Sequence, residues 1–173
     1  MPCSEFELGL KKEVNCIVVS IDQQKLWHIR GQDCETYVVS TARAGRGCVE
    51  DSHQTPDGLH QVGEKIGEGA VPGTVFKARQ STGKLASEWA APEDNLITSR
   101  ILWLEGLEPG HNQGVAADGK VVDTRRRFVY IHGTNQVAKL GQPNSHGCVL
   151  LSDTDVIRLF DLVPVGTRVL IRD

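Results

Sequence analysis

The residues best able to do chemistry sit between Tyr130 and Leu151, where the chain reads YIHGTNQVAKLGQPNSHGCVLL. The stretch holds two of the six histidines, His132 and His146, and one of the five cysteines, Cys148. A thiol acts as a nucleophile when a neighbour accepts its proton, and near neutral pH that neighbour is usually histidine. His146 stands only two residues before Cys148, and the turn at Gly147 works against direct pairing. The base is therefore expected from another loop, which makes His132 the better candidate. Three other readings compete. Cys148 could be a buried thiol in a tight turn. His132, His146 and Cys148 are also zinc-ligand types, but a fourth ligand would be remote, Asp153 or His111, and no known metal spacing supports the set. No metal and no cofactor is expected. A non-catalytic binding module is the third, and the presence of both Cys148 and His132 argues against it.

His132-Gly133-Thr134, a spacer, and then Ser145-His146-Gly147-Cys148 resemble the signature of the L,D-transpeptidase catalytic domain, or YkuD domain. The resemblance is specific, because two separated blocks and the spacer between them match together. It implies that Cys148 attacks the L-to-D peptide bond before the terminal D-alanine of a peptidoglycan stem tetrapeptide. His132 would be the base and the Gly133 carbonyl its orienter. Ser145 and His146 would shape the pocket, and the amides of Gly147 and Cys148 would face the oxyanion. Tyr130, Thr134, Asn144 and Leu150 are candidate substrate contacts. Two positions depart from the commonest pattern: Leu150 stands where many members carry arginine, and Asp153 where asparagine is frequent. Leu150 removes a fixed cation from beside the nucleophile. Carbapenem-type inhibitors are implied as ligands.

The elements that must position these residues read as mainly β. Apolar or β-branched runs bounded by turn residues predict strands over Val14–Ile21, Lys25–Arg30, Glu35–Ala42, Leu59–Val62, Thr74–Ala78 and Leu96–Leu104. Lys120–Asp123 is expected as a short hairpin arm, Phe128–Ile131 carries the chain to His132, and Thr167–Ile171 closes it. Thr55-Pro56-Asp57-Gly58 is turn chemistry and also fits the family's order of strand, Thr-Pro-x-Gly, strand. Ser81 to Asn95 shows no clear period. Residues 64–98 read as either a lid or an ordinary excursion over the sheet. One helix is clear. Ser152 can cap it, Asp155 follows as in a capping box, and Val156, Leu159, Phe160 and Val163 keep helical spacing before Pro164. His28, His53 and His60 are expected at the surface. The family fold is a β-sandwich closed into a barrel-like shape with a helix after the cysteine loop. The resemblance runs from about Val14 to Arg172, so residues 1–13 are an irregular lead-in and 14–173 a single catalytic domain.

A chain of 173 residues supports one such core. Its net charge of −3 arises from interspersed signs. The basic run Arg125 to Arg127 is read as a solvated or anion-contacting face, so no nucleic-acid partner is expected. No stretch approaches the roughly 18 apolar residues of a membrane span, so no membrane partner is expected either. The N-terminus lacks a basic segment followed by an apolar one. With Met1 as the native start the protein is expected in the cytoplasm; with a leader removed, in the periplasm. In a reducing compartment all five cysteines would be free thiols, and a Cys34–Cys48 disulfide would require export.

The acceptor divides the implied chemistry. Water gives an L,D-carboxypeptidase that trims tetrapeptides during wall recycling. A stem-peptide amine gives 3–3 crosslinks, and a free D-amino acid gives exchange. Water is preferred here because crosslinking requires access to the wall. A muropeptide-binding sensor is the non-enzymatic alternative.

Overall fold

The computed structural model describes residues 15–173. The lead-in expected over residues 1–13 lies outside the described residues. Ten strands form one sheet: β1 (Asn15–Ser20), β2 (Lys25–Arg30), β3 (Asp33–Val38), β4 (Gly58–Ile66), β5 (Thr74–Lys77), β6 (Gln80–Leu85), β7 (Ile97–Gly106), β8 (Tyr130–Gly133), β9 (Val149–Leu151) and β10 (Arg168–Arg172). Among the described residues a single α-helix, α1 (Asp153–Leu162), follows β9. The main path runs β3-β2-β1-β10-β4-β7-β5-β6, and β8 branches from β7 to carry β9. Two neighbours are parallel, β1 with β10 and β8 with β9; the other strand pairs are antiparallel.

The sheet curls until its ends meet. Ser40, just past β3, pairs with Leu150 of β9, with Ser40 N–H donating to the Leu150 carbonyl at 3.0 Å and Leu150 N–H to the Ser40 carbonyl at 2.8 Å. That seam gives the barrel-like closure expected of the sequence and satisfies the backbone of β9, which would otherwise be an open edge.

Inside the curl, Val19, Leu26, Leu102, Leu104, Ile131, Val149, Leu151 and Ile171 pack against Val156, Leu159, Phe160 and Val163 of the helix segment. Each such fully buried side chain contributes about 1.5–3 kcal/mol relative to exposure. The helix begins as its sequence dictates. Ser152 Oγ accepts from Asp155 N–H at 3.1 Å, satisfying a donor that a helix start leaves unpaired. Among the described residues no helix is long and apolar enough to cross a membrane.

The structure corrects several readings. The weakly patterned segment after Lys77 holds β6, a polar strand hairpinned to β5, and β4 runs nine residues rather than four. Lys120–Asp123 is no strand; only Val121 makes a single bridge, to Val115. His28 and His60, expected at the surface, are buried. β2 is covered on both faces, so Leu26 and Trp27 are both interior and His28 with them. His28 Nε2 meets Asn15 Oδ1 at 2.8 Å. Cys34 is disulfide-bonded rather than a free thiol. Cys48 is free, so the two do not pair.

Candidate active site

β8 and β9 lie parallel, Ile131 beside Val149 and His132 beside Leu150. Cys148 immediately precedes β9, which brings it level with Tyr130. Strand alternation puts Tyr130 and His132 on one face, and Cys148 packs there against Tyr130, Ile101 and Phe76. The two separated motif blocks therefore meet through one ladder, as their chemistry requires.

His132 is 3% exposed. Its Nδ1 lies 2.7 Å from the Gly133 carbonyl. A carbonyl only accepts, so Nδ1 carries the proton and Nε2 keeps its lone pair. The carbonyl expected to orient the ring is thus the partner of Nδ1. Burial pushes the imidazole down to about 4, against the upward pull of the Gly133 carbonyl. Gly133 itself is fixed by crowding. A Cβ there would come within 2.5 Å of the Thr98 carbonyl and 2.8 Å of Asp153 Oδ1. Asp153, at the first turn of α1, accepts from Thr98 Oγ1 at 2.6 Å and from Ser99 Oγ at 2.5 Å. Thr98 ends the regular pairing and Ser99 begins the bulge in β7 that lies between Thr98 and Ile101, where Ser99 takes φ +62°. The aspartate that departs from the family's asparagine ties helix, bulge and His132 loop together.

The nucleophile differs from expectation in its resting state. Among the described residues its thiol is engaged by main chain: Tyr130 N–H donates to Sγ at 3.3 Å, and the thiol donates to the Phe128 carbonyl at 3.7 Å. His132 is not its hydrogen-bond partner. Burial pushes the thiol up to about 11, against the lowering effects of the Tyr130 N–H and the Arg127 charge. At neutral pH both groups are uncharged, so the resting pair is thiol and imidazole rather than thiolate and imidazolium.

The turn before Cys148 is built from Ser145, whose Oγ donates to the Cys148 carbonyl at 2.6 Å and accepts from Gly147 N–H at 3.1 Å. One of the two amides expected at the oxyanion is therefore already occupied. Gly147 takes φ +135°, open to glycine and strained for other residues. Thr55 Oγ1, from the Thr-Pro-Asp-Gly turn, donates to the Gly147 carbonyl at 3.0 Å.

Three expected substrate contacts are placed elsewhere. Leu150 is in the core, 1% exposed, with its backbone in the seam. Thr134 is buried and its Oγ1 accepts from Gln136 N–H at 3.1 Å. Asn144 spends both ends of its amide on protein, Oδ1 on Arg43 at 2.6 Å and Nδ2 on Gln136 at 2.9 Å. Tyr130 is buried, and its hydroxyl accepts from Arg79 Nη1 at 3.2 Å.

A residue that the sequence hid is Arg127. The run Arg125–Arg127 was legible as a basic face, yet its members are separately committed. Arg125 pairs with Glu64 and Glu105 and lies over Trp103. Arg126 pairs with Glu50. Arg127 is half-buried and donates to the Gly47 carbonyl at 3.1 Å and the Gln54 carbonyl at 2.7 Å. Its charge lowers the Cys148 thiol, so a cation stands near the nucleophile from a different strand approach than the missing arginine at Leu150. A cleft of about 260 Å³ flanks the site, lined by Glu50, Asp51, His53, Arg126, Arg127, Phe128 and His146. His146 is exposed in it, edge-on to His53 with ring centroids 5.9 Å apart. Beside it Phe128, at φ +55° and 52% exposed, forms an aromatic ledge with Trp103.

Comparison with known proteins agrees with this geometry. A family model for the L,D-transpeptidase catalytic domain (YkuD) matches residues 15–171. YqjB of Bacillus subtilis strain 168 is 40% identical over 74 residues, 40% of this chain and 40% of that protein. YbiS of Escherichia coli strain K12 is 54% identical over 43 residues, 25% of this chain and 14% of that protein. Both carry L,D-transpeptidase names. L,D-transpeptidase 3 of Mycobacterium tuberculosis, solved with a faropenem-derived adduct, superposes with a TM-score of 0.57 at 16% identity, covering 92% of this chain and 60% of that one. The LD transpeptidase LdtMt1 with imipenem gives 0.52 at 19% identity, covering 92% and 59%. At these identities the structural likeness is one of fold. The chain spans less than two thirds of the length of each of these four proteins.

Proposed function

The chain belongs to the L,D-transpeptidase catalytic-domain family, and we propose that within it the protein acts on peptidoglycan stem tetrapeptides as a cysteine L,D-carboxypeptidase. The observation that carries this reading is the disposition of His132 and Cys148 on adjoining strands, with the imidazole tautomer set by Gly133 so that Nε2 is a free base.

Substrate binding turns the Cys148 thiol from its main-chain partners toward His132. Nε2 takes the thiol proton as sulfur attacks the carbonyl of the L-centre, diaminopimelate or lysine. The C–N bond to D-alanine breaks, and the imidazolium returns its proton to the leaving amine. The product is a thioester. His132 then deprotonates the acceptor that resolves it, and the thiol is re-formed. Because thiol and imidazole both rest uncharged, the proton moves during attack rather than before it. The Cys148 amide faces the developing oxyanion, since Ser145 holds that of Gly147.

Water as acceptor is supported by the size of the flanking cleft. About 260 Å³ is below the range of roughly 300–1,000 Å³ that encloses a drug-sized ligand; it suits the end of one stem peptide, and water needs no second groove. A transpeptidase reading rests on the aromatic ledge at Phe128 and Trp103, which could seat an acceptor chain. Either compartment supplies a substrate: soluble tetrapeptides in the cytoplasm, or the wall itself outside it, where the disulfide at Cys34 would be at home. Carbapenem-type inhibitors would acylate Cys148, a reading supported by the faropenem-derived adduct of one neighbour and the imipenem complex of the other.

Mass spectrometry after incubation with a soluble stem tetrapeptide, beside a Cys148→Ala control, tests the proposal. Tripeptide and D-alanine, absent from the control, are expected. Crosslinked dimer or D-amino-acid exchange would make the protein a transpeptidase. No Cys148-dependent product would leave a muropeptide-binding sensor.

A further inference from the structure

Outside the active site a second set of reactive side chains converges. Cys48, Asp57 and His111 come from three segments: the loop after β3, the turn before β4, and the loop after β7. Cys48 Sγ lies 3.3 Å from Asp57 Oδ1 and 3.8 Å from His111 Nε2, and His111 Nε2 lies 3.1 Å from the same Oδ1. In a proton relay, a histidine presents one nitrogen to the acid and the other to the nucleophile. Here a single nitrogen lies near both sulfur and oxygen, so three atoms able to ligate a metal lie within 4.8 Å of one another.

The spacing is that of a metal's coordination shell. Around a tetrahedral zinc, with Zn–S about 2.3 Å and Zn–N and Zn–O about 2.0–2.1 Å, donors stand about 3.3–3.6 Å apart. The observed triangle departs from those edges by a few tenths of an ångström. Sulfur and imidazole with one carboxylate are the donors of a borderline-soft ion and unlike the all-oxygen shells of calcium or magnesium.

The donors are also held in place. Asn112, fully buried beside His111, donates through Nδ2 to the Asp57 and Leu59 carbonyls at 3.0 and 3.1 Å. Its Oδ1 accepts from Glu108 N–H at 2.9 Å. The second carboxylate oxygen of Asp57 is 3.8 Å from Arg46 Nε. Next to Cys48, Gly47 N–H donates to the Thr55 carbonyl at 2.9 Å. Cys48 is buried and His111 exposed, so one side of the triangle opens to solvent.

We propose that Cys48, Asp57 and His111 bind one zinc ion, with water in the fourth position. The thiol proton leaves to solvent as the thiolate coordinates. The ion clips the segment carrying Gly47, Gln54 and Thr55, which holds Arg127 and the Gly147 carbonyl, to the loop after β7. This site is independent of the proposed reaction, and neither Cys148 nor His132 belongs to it.

The test is titration of the full chain, stripped with chelator, with Co²⁺ followed by Zn²⁺. One equivalent of Co²⁺ should give a thiolate-to-cobalt charge-transfer band with the intense visible bands of four-coordination, and Zn²⁺ should displace it. The spectrum should persist in Cys148→Ala and vanish in Cys48→Ala. Because Cys48 is buried and its replacement also removes core packing, His111→Ala decides the matter. That side chain is exposed, circular dichroism should be unchanged, and Co²⁺ affinity should fall at least tenfold. The proposal is overturned if the wild type gives no thiolate band, if the band follows Cys148, or if His111→Ala binds as the wild type does.

Discussion

Cys148 and Cys48 are both free thiols, and burial pushes each up to about 11. Their surroundings send the same atom toward different chemistry. Cys148 has apolar neighbours, main-chain partners and an imidazole held apart by its bond to Gly133. Cys48 meets a carboxylate and an imidazole that share its focus. A sulfur with one base in reserve is arranged for a bond that forms and breaks. A sulfur with two converging donors is arranged for a ligand that stays. Identity of the residue says little; the direction of the nearest lone pairs says more.

The strongest way to break this contrast is to remove each sulfur in turn. Cys148→Ala should abolish D-alanine release, measured by mass spectrometry, while leaving cobalt binding intact. His132→Gln keeps a polar group in the pocket but removes the base, and should lower turnover by about 10²–10⁴-fold with thermal stability little changed.

Acid sharpens the comparison through the histidines. His60 and His132 are both held down to about 4 by burial. Unfolding lets each take up a proton near the ordinary value of about 6.5. Between those values the unfolded chain binds more protons, so native stability is complete above about 6.5 and falls as pH drops toward 4. The two together should cost at most several kcal/mol across that window, read as a falling denaturant midpoint at constant m-value. A flat profile would mean that neither imidazole is as buried as described.

Alkylation of Cys148 by iodoacetamide addresses the resting thiol. A thiol raised to about 11 should react slowly at neutral pH, its rate climbing about tenfold per pH unit on the way up. A plateau near pH 7 would show a pre-formed thiolate. The smallest expected effect is Ser152→Ala, which removes the helix cap and should cost about 1 kcal/mol in chemical unfolding, with turnover per folded molecule unchanged.

That Cys148 and His132 lie on neighbouring segments was legible because their motif is local in two blocks and the ladder between β8 and β9 joins them without intervening geometry. The helix was legible for a similar reason, since Ser152 and the Val156, Leu159, Phe160 spacing are all local signals. β6 was not, because its residues are mostly exposed and polar and leave no alternation to read. His28 was misplaced because alternation assumes one wet face and β2 is covered on both; His60 shares the inward face of β4 with Val62, while its neighbour Leu59 is exposed. Leu150 looked like a lost cation, and the cation whose charge lowers the Cys148 thiol, Arg127, comes from a run whose three side chains diverge to different partners. The meeting of Cys48, Asp57 and His111 is wholly tertiary, since no motif spans three loops.

The seam at Ser40 and Leu150 has a consequence for how the enzyme comes into being. β9, which begins one residue after the nucleophile, completes its hydrogen bonding only when a segment from early in the chain reaches it. Such distant pairings form late, because the intervening chain must first be ordered. The cysteine turn is therefore expected to be completed only as this seam closes, so that a chain still open there has a thiol without fixed geometry around it. Turnover in a refolding experiment should return with the slowest phase and not with the first gain of β-structure. The barrel's latch is in this sense also what would fix the Cys148 thiol in place.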